Sequence, residues 1–286
     1  MEDNLYDIVI LGTGFKECVL AGLLTSYQDM KVIQLDRNLH YGGEAASVNL
    51  TNLWKHFGRE DKLPENLGEN RDWNIDLVPK VLLASGGLVK MLIKTNVSQY
   101  LDFKCLESQF VLRGNELLKI PSNDKEALST DLLTLSEKAN CTRFFQFVQD
   151  FKLNDASTHQ GLDINASFKD FIQAFSFDQN LIDFTGYAVC HALNDEYLHH
   201  PAKNILKRIQ VYLDSAGKYG DTPFIYPIYG LSGLPEGFSR LCAINRGITI
   251  LAKNTDEILF DNGRFTGVKS GSEVNNFLNR FFMVKL

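Results

Sequence analysis

The 286-residue sequence is poor in the features that mark most functional classes. It has no excess of positive charge: 29 Lys and Arg face 35 Asp and Glu, a net charge of -6. A broad cationic surface is therefore absent, and nucleic acid is excluded as a partner. No apolar run approaches the roughly 18 residues a spanning helix needs. The start, Met1-Glu2-Asp3-Asn4, is acidic and lacks the basic and apolar regions of a secretory signal. Cysteine is scarce and scattered, at Cys18, Cys105, Cys141, Cys190 and Cys242, with no CxxC and no His at ligand spacing. Buried, reduced thiols in a cytosolic protein are expected, with no metal. The pair His199-His200 has no Cys or carboxylate at ligand spacing and is expected in a solvated loop. There is no GxSxG, HExxH or GxxxxGK[ST], so a hydrolase or NTPase has no footing and no catalytic residue is assigned. There is also no C-terminal prenylation box, so the chain is expected to carry no lipid of its own.

What is present is ordinary globular composition, 44% hydrophobic, with enough length for two domains. Tyr6 to Leu11 is a short β-branched apolar run, predicted as a buried parallel strand. A glycine turn follows, then a helix through residues 18–24 and a second strand over 31–35 ending in Asp36. This is a βαβ unit. A helix is expected near 84–93, and a hairpin over 110–120 around Gly114-Asn115. From 125 to 218 helical spacing dominates: Phe144, Phe147, Val148 and Phe151, then Phe168, Phe171, Ile172 and Phe175. Strand signals return over 224–229 and 248–251. Segments 258–260 and 265–268 bracket Asp261-Asn262-Gly263, a hairpin turn. The fold class is α/β: a Rossmann-like sheet domain of the FAD/NAD(P)-binding type, residues 1–124 plus 219–286, with an all-helical domain inserted at 125–218.

The turn Gly12-Thr13-Gly14-Phe15-Lys16-Glu17 sits where a dinucleotide fingerprint belongs, after a strand and opening a helix. Asp36 occupies the usual ribose-binding position. Yet the third glycine of the fingerprint is replaced by Glu17, at the helix end where a pyrophosphate would sit. Two negative groups a few ångströms apart repel by about several kcal/mol at partly buried dielectric. Further on, His40-Tyr41-Gly42-Gly43-Glu44 resembles the Gly-Gly-Arg stretch of amine-oxidase-type flavoproteins, with the arginine inverted to Glu44. The residues Gly12, Gly14, Glu17, Asp36 and Glu44 thus form a vestigial dinucleotide turn, and no cofactor is expected.

These residues, with others downstream, resemble the Rab GDP-dissociation inhibitors and the related Rab escort proteins. The first shared stretch is Tyr6 to Gly14 with Glu17-Cys18, then Asp36-Arg37-Asn38 leading to Tyr41-Gly42-Gly43-Glu44. Next come Arg71-Asp72-Trp73-Asn74-Ile75-Asp76-Leu77, Tyr100-Leu101-Asp102-Phe103-Lys104, Gln160-Gly161-Leu162-Asp163 and Asp183-Phe184-Thr185-Gly186. Then follow Asp195-Glu196-Tyr197-Leu198, Tyr226-Pro227-Ile228-Tyr229-Gly230 and Leu234-Pro235-Glu236-Gly237-Phe238-Ser239-Arg240. The resemblance runs from about residue 5 to about 270. It is closer to the inhibitors, because the escort proteins carry a large first-domain insertion that is absent here.

The resemblance implies a non-enzymatic carrier of prenylated Rab GTPases in the GDP form, a cytoplasmic monomer that slows GDP release and makes transient contact with membranes. A Rab escort protein and an FAD-dependent, amine-oxidase-like oxidoreductase are the alternatives. Tyr41, Arg71 and Arg240 match Rab-binding platform positions, and Lys218 opens a segment matching a loop that touches the GTPase. Phe147, Phe151 and Phe184 are the candidates for a geranylgeranyl groove, within a stripe that is by default bundle core. Three departures stand out. The family's Glu before the Leu-Pro pair is Gly233, a lost charged contact of about 1–3 kcal/mol. A platform methionine is Ile250. The match fades after Ser270, and Asn275–Leu286 looks unrelated; without later strands, the parallel sheet is expected to expose an apolar edge.

Overall fold

A computed structural model describes residues 5–43, 46–59, 61–122, 124–271, 273–277 and 283–284. Glu44 lies outside the described residues. The elements used below are β1 (Ile8–Leu11), α1 (Phe15–Gln28), β2 (Val32–Leu35), β3 (Phe110–Arg113), β4 (Glu116–Lys119) and α2 (Leu135–Asp150). They continue with α3 (Ala202–Ser215), α4 (Gly233–Ile244), β5 (Ile248–Ile250), β6 (Glu257–Asp261) and β7 (Arg264–Ser270). The chain forms two compact units: one of residues 1–80, 92–103 and 227–286, the other of 81–91 and 104–226. The second is wider than the expected 125–218. Val111 and Leu118 of the β3–β4 hairpin pack on Ile120, Leu132 and Ala188, and Phe224 joins the phenylalanine core, so these flanking strands belong with the helices.

In the first unit β5, β2 and β1 run parallel in that order, with Ile33 opposite both Val9 and Ile248. Both faces of the sheet are covered, which is why β1 and β2 read as continuous apolar runs. Ile8, Ile10 and Val32 pack with Ala21 of α1 and Cys242 of α4. Val9, Ile33 and Leu35 pack with Val268 of β7 on the other face. The far edge of β1, expected to lie bare, pairs with the short strand Met283–Val284. Gly22 lets α4 approach α1 closely: a methyl there would lie 3.0 Å from the Phe238 carbonyl oxygen. Fully buried Gln34 then ties the layers together. Its amide donates to Gly12 O at 3.3 Å and accepts from the Thr249 hydroxyl, which in turn meets Ser239 of α4. β6 and β7 form the predicted hairpin, turning at Asn262 and Gly263, both at positive φ.

The second unit is built on α2 and α3. α2 opens with a capping box: Glu137 N–H donates to the Thr134 hydroxyl, and the Glu137 carboxylate accepts from Thr134 N–H at 2.6 Å. Phe144, Phe147, Val148 and Phe151 of α2 then pack against Phe168, Phe171, Ile172, Phe175, Ile205 and Ile209. Each fully buried ring contributes about 1.5–3 kcal/mol of transfer free energy. Helical spacing conceals one irregularity, a π-helical segment over Phe184–Val189. Gly186 is needed there, because a methyl would collide with the phenol of Tyr197.

Candidate functional site

The glycine turn is closed upon itself. Gly12, at φ +108, takes a conformation that favours glycine and donates to Leu35 O at 2.8 Å. Thr13, between the two glycines, gives Asp36 Oδ2 both its N–H at 2.7 Å and its hydroxyl at 2.6 Å. Asp36 Oδ1 accepts from Asn38 N–H at 2.8 Å. Asp36 is only 4% exposed, so both carboxylate oxygens are committed inside the fold. A ribose would have to displace them. Glu17 lies in the first turn of α1, where the helix dipole favours its charge, and folds back over the turn. A methyl on Gly14 would meet Glu17 Oε2 at 2.5 Å. The carboxylate therefore covers the face a pyrophosphate would approach. These residues do not fit a dinucleotide: one acid is used up and the other fills the phosphate position. Gly42 binds Thr13 O through its N–H at 2.9 Å, which fixes the segment after Tyr41 beside the turn.

A second site in the same unit is open. α4 lies against the short helix Val97–Tyr100, and Gly237 permits the approach, since a methyl there would sit 2.8 Å from Val97. Arg240, one turn later, places its guanidinium 4.4 Å from the centre of the Tyr100 ring, a cation–π contact. Arg240 forms no salt bridge among the described residues. Tyr100, Asp102, Tyr229, Gly233, Glu236 and Arg240 line a hollow of about 390 Å³. Desolvation at its wall raises the Glu236 carboxyl above the usual range, partly offset by the Ser232 hydroxyl.

The remaining platform candidates are dispersed. Gly233 and Arg240 share the hollow, and Tyr41 is half-buried beside the glycine turn. Arg71 is exposed and pairs with Glu69 at 2.8 Å. Ile250 is partly buried against the sheet core, and its carbonyl accepts from Asp36 N–H, so its role in the fold is packing. Lys218 belongs to the second unit, where its ammonium meets the Ser85 hydroxyl at 3.0 Å and lies over Tyr219.

In the second unit a largely apolar cavity of about 480 Å³ opens beside α2 and α3. Leu133, Cys141, Phe145, Phe184, Tyr212 and Leu213 are among its walls. Of the three candidate groove residues, only Phe184 lines it. Phe147 and Phe151 are each 2% exposed and lie in the core. Periodicity places a ring on the apolar face of a helix but does not say whether that face meets another helix or a void. Burial pushes the Cys141 thiol up to about 12, so this wall group stays neutral. Among the described residues no cluster of His, Cys, Asp or Glu could hold a metal, and no helix is long and apolar enough to cross a membrane.

A family model described as GDP dissociation inhibitor matches residues 1–279. The chain belongs to the GDP dissociation inhibitor family. Its structure resembles the crystal structure of a Rab GDI from Plasmodium falciparum, with 42% identity and a TM-score of 0.86. That match covers 99% of this chain and 66% of the Plasmodium chain, so this chain spans about two thirds of that protein's length. An oxidoreductase from Methanosarcina mazei is similar at 15% identity and TM-score 0.52, over 94% of this chain and 56% of its own. A putrescine oxidase is similar at 11% and 0.50, over 96% and 56%. At such identities these two show the fold alone, the Rossmann-like FAD-binding type. Against this family background, Thr13, Tyr100 and Glu236 are the site residues that sequence reasoning did not single out. The only signal for Thr13 was a hydroxyl between two glycines facing an acid at the next strand's end.

Proposed function

We propose that this chain acts as a Rab GDP-dissociation inhibitor, a binding protein with no catalytic step. The observation that carries the reading is the glycine turn. Glu17 lies over Gly14, and Asp36 is buried and bonded through both carboxylate oxygens to Thr13 and Asn38, so the fold's own side chains occupy the phosphate and ribose positions. Family membership supports the GTPase as the ligand that replaces the nucleotide. On this reading Tyr41, Arg71 and Arg240 contact the GDP-bound GTPase, with Lys218 contributing from the second unit. Holding the switch loops ordered slows nucleotide release. Preference for the GDP form follows from differential affinity for the two switch arrangements.

The apolar cavity of the second unit, with Phe184 in its wall, takes the geranylgeranyl chain. Its volume lies within the range of about 300–1,000 Å³ typical of ligand sites. Each CH₂ withdrawn from a bilayer loses about 0.8 kcal/mol, so extraction needs a comparably apolar receptacle. The protein then works as a cytoplasmic monomer that cycles to membranes. The test is GDP release from geranylgeranylated Rab, followed with a fluorescent nucleotide. Addition of the chain slows release; an unchanged rate with a folded preparation contradicts the reading.

A further inference from the structure

Glu236 and Arg240 stand four residues apart on α4, acid before base, the arrangement in which a helix ordinarily forms its most favourable surface ion pair. Here the pair is not made. Arg240 is drawn onto the Tyr100 face instead, and Glu236 has no cation at ion-pairing distance among the described residues. Both line one hollow of about 390 Å³ together with Tyr229 and Asp102. Glu236 and Arg240, held apart in one concave site that also carries the Asp102 carboxylate, form a template for a ligand with complementary charges. Gly233, one turn before Glu236, adds room: a methyl there would touch only Leu101, at 3.4 Å.

We infer that Glu236 is a specificity-determining residue of this hollow, receiving a cationic side chain from the partner's loop while Arg240 receives that loop's carbonyl or carboxylate. The inference rests on the GTPase reading and deepens it by naming the chemistry this site selects. Gly233 lies one turn before Glu236 on the same helix and lines the same hollow. Positions three apart on a helix are surface neighbours, so a carboxylate at either reaches the same hollow. Partners with a Lys or Arg facing α4 are selected, and partners with an acid there are rejected by like charge.

The experiment measures affinity of the full chain for geranylgeranylated Rab–GDP at low and high salt, with a thermal melt as the folding control. Glu236→Gln is expected to weaken binding about tenfold and to flatten the salt dependence, with an unchanged melt. Gly233→Glu, placed in the Glu236→Gln background, is expected to restore most of the affinity and the salt dependence, because the charge returns to the same hollow. Unchanged affinity in Glu236→Gln, when the parent chain binds, overturns the inference and leaves the GTPase reading standing. A loss that Gly233→Glu does not recover assigns Glu236 a packing role and overturns it as well. No binding by the folded parent chain removes the GTPase reading itself, and this partner with it.

Discussion

The glycine turn and the hollow beside α4 lie in the same unit and are built from similar groups, yet they treat charge in opposite ways. At the turn, Asp36 is buried and all its bonds are internal, to Thr13 and Asn38. At the hollow, Arg240 and Glu236 face an open cavity and are not paired with each other. The first arrangement stabilises the fold and offers nothing to a ligand. The second leaves a local ion pair unmade and keeps Arg240 and Glu236 separate in one open hollow. On the proposed reading, the scaffold has kept its turn as structure and uses the hollow for recognition.

That contrast is sharpened most strongly by removing the closed acid. Asp36→Ala orphans a buried N–H and hydroxyl of Thr13, and it is expected to cost about 3 kcal/mol of stability in chemical denaturation. A cost under about 0.5 kcal/mol would mean that the turn does not depend on Asp36. At the hollow the signs reverse. Arg240→Ala is expected to lower affinity for prenylated Rab–GDP by about 2 kcal/mol, as a central anchor does, while its melting temperature stays near that of the parent. Equal losses of stability and affinity would erase the distinction. In the second unit, Leu133→Trp places an indole in the cavity. It is expected to weaken prenylated Rab about tenfold, about 1.4 kcal/mol, and to leave the unprenylated protein's affinity unchanged. Equal effects on both would move the lipid elsewhere.

The smallest effect concerns the start of α2. Thr134→Ala is expected to cost about 1 kcal/mol by loss of its cap. The pH profile identifies its partner. Desolvation alone would raise Glu137, but the Thr134 N–H and hydroxyl and the Asn180 amide outweigh it, and the net shift is downward. A carboxyl held below its unfolded value contributes stability that is fully present above the ordinary value of 4.5 and is lost as pH falls through the folded value. The parent should therefore lose this increment on acidification, and Glu137→Gln should flatten that part of the curve in acid-titrated melts.

The elements with strong local signals were legible. The buried strands β1 and β2, the strand–glycine–helix order and the turn at Asn262-Gly263 follow from continuous apolar runs and turn chemistry. Replacement of the third fingerprint glycine by Glu17 already pointed to a lost nucleotide, and the structure adds that the carboxylate lies over Gly14. Less visible was anything that depends on which side of a helix meets a void. Phe147 and Phe184 carry the same kind of signal in sequence, yet Phe147 is a buried core ring and only Phe184 reaches the wall of the apolar cavity beside α2 and α3. The π-helical segment over Phe184–Val189 shifts side-chain direction within an unbroken helical pattern, which spacing does not reveal. The contact of Arg240 with the Tyr100 ring depends on tertiary approach and has no local signal in the sequence.

The claim that this fold recognises a protein in place of a dinucleotide is tested most directly by titrating the purified chain with FAD and, separately, with geranylgeranylated Rab–GDP in a calorimeter. The account predicts saturable heat with the GTPase and none with FAD. Stoichiometric FAD binding, with no heat from the GTPase, would contradict it.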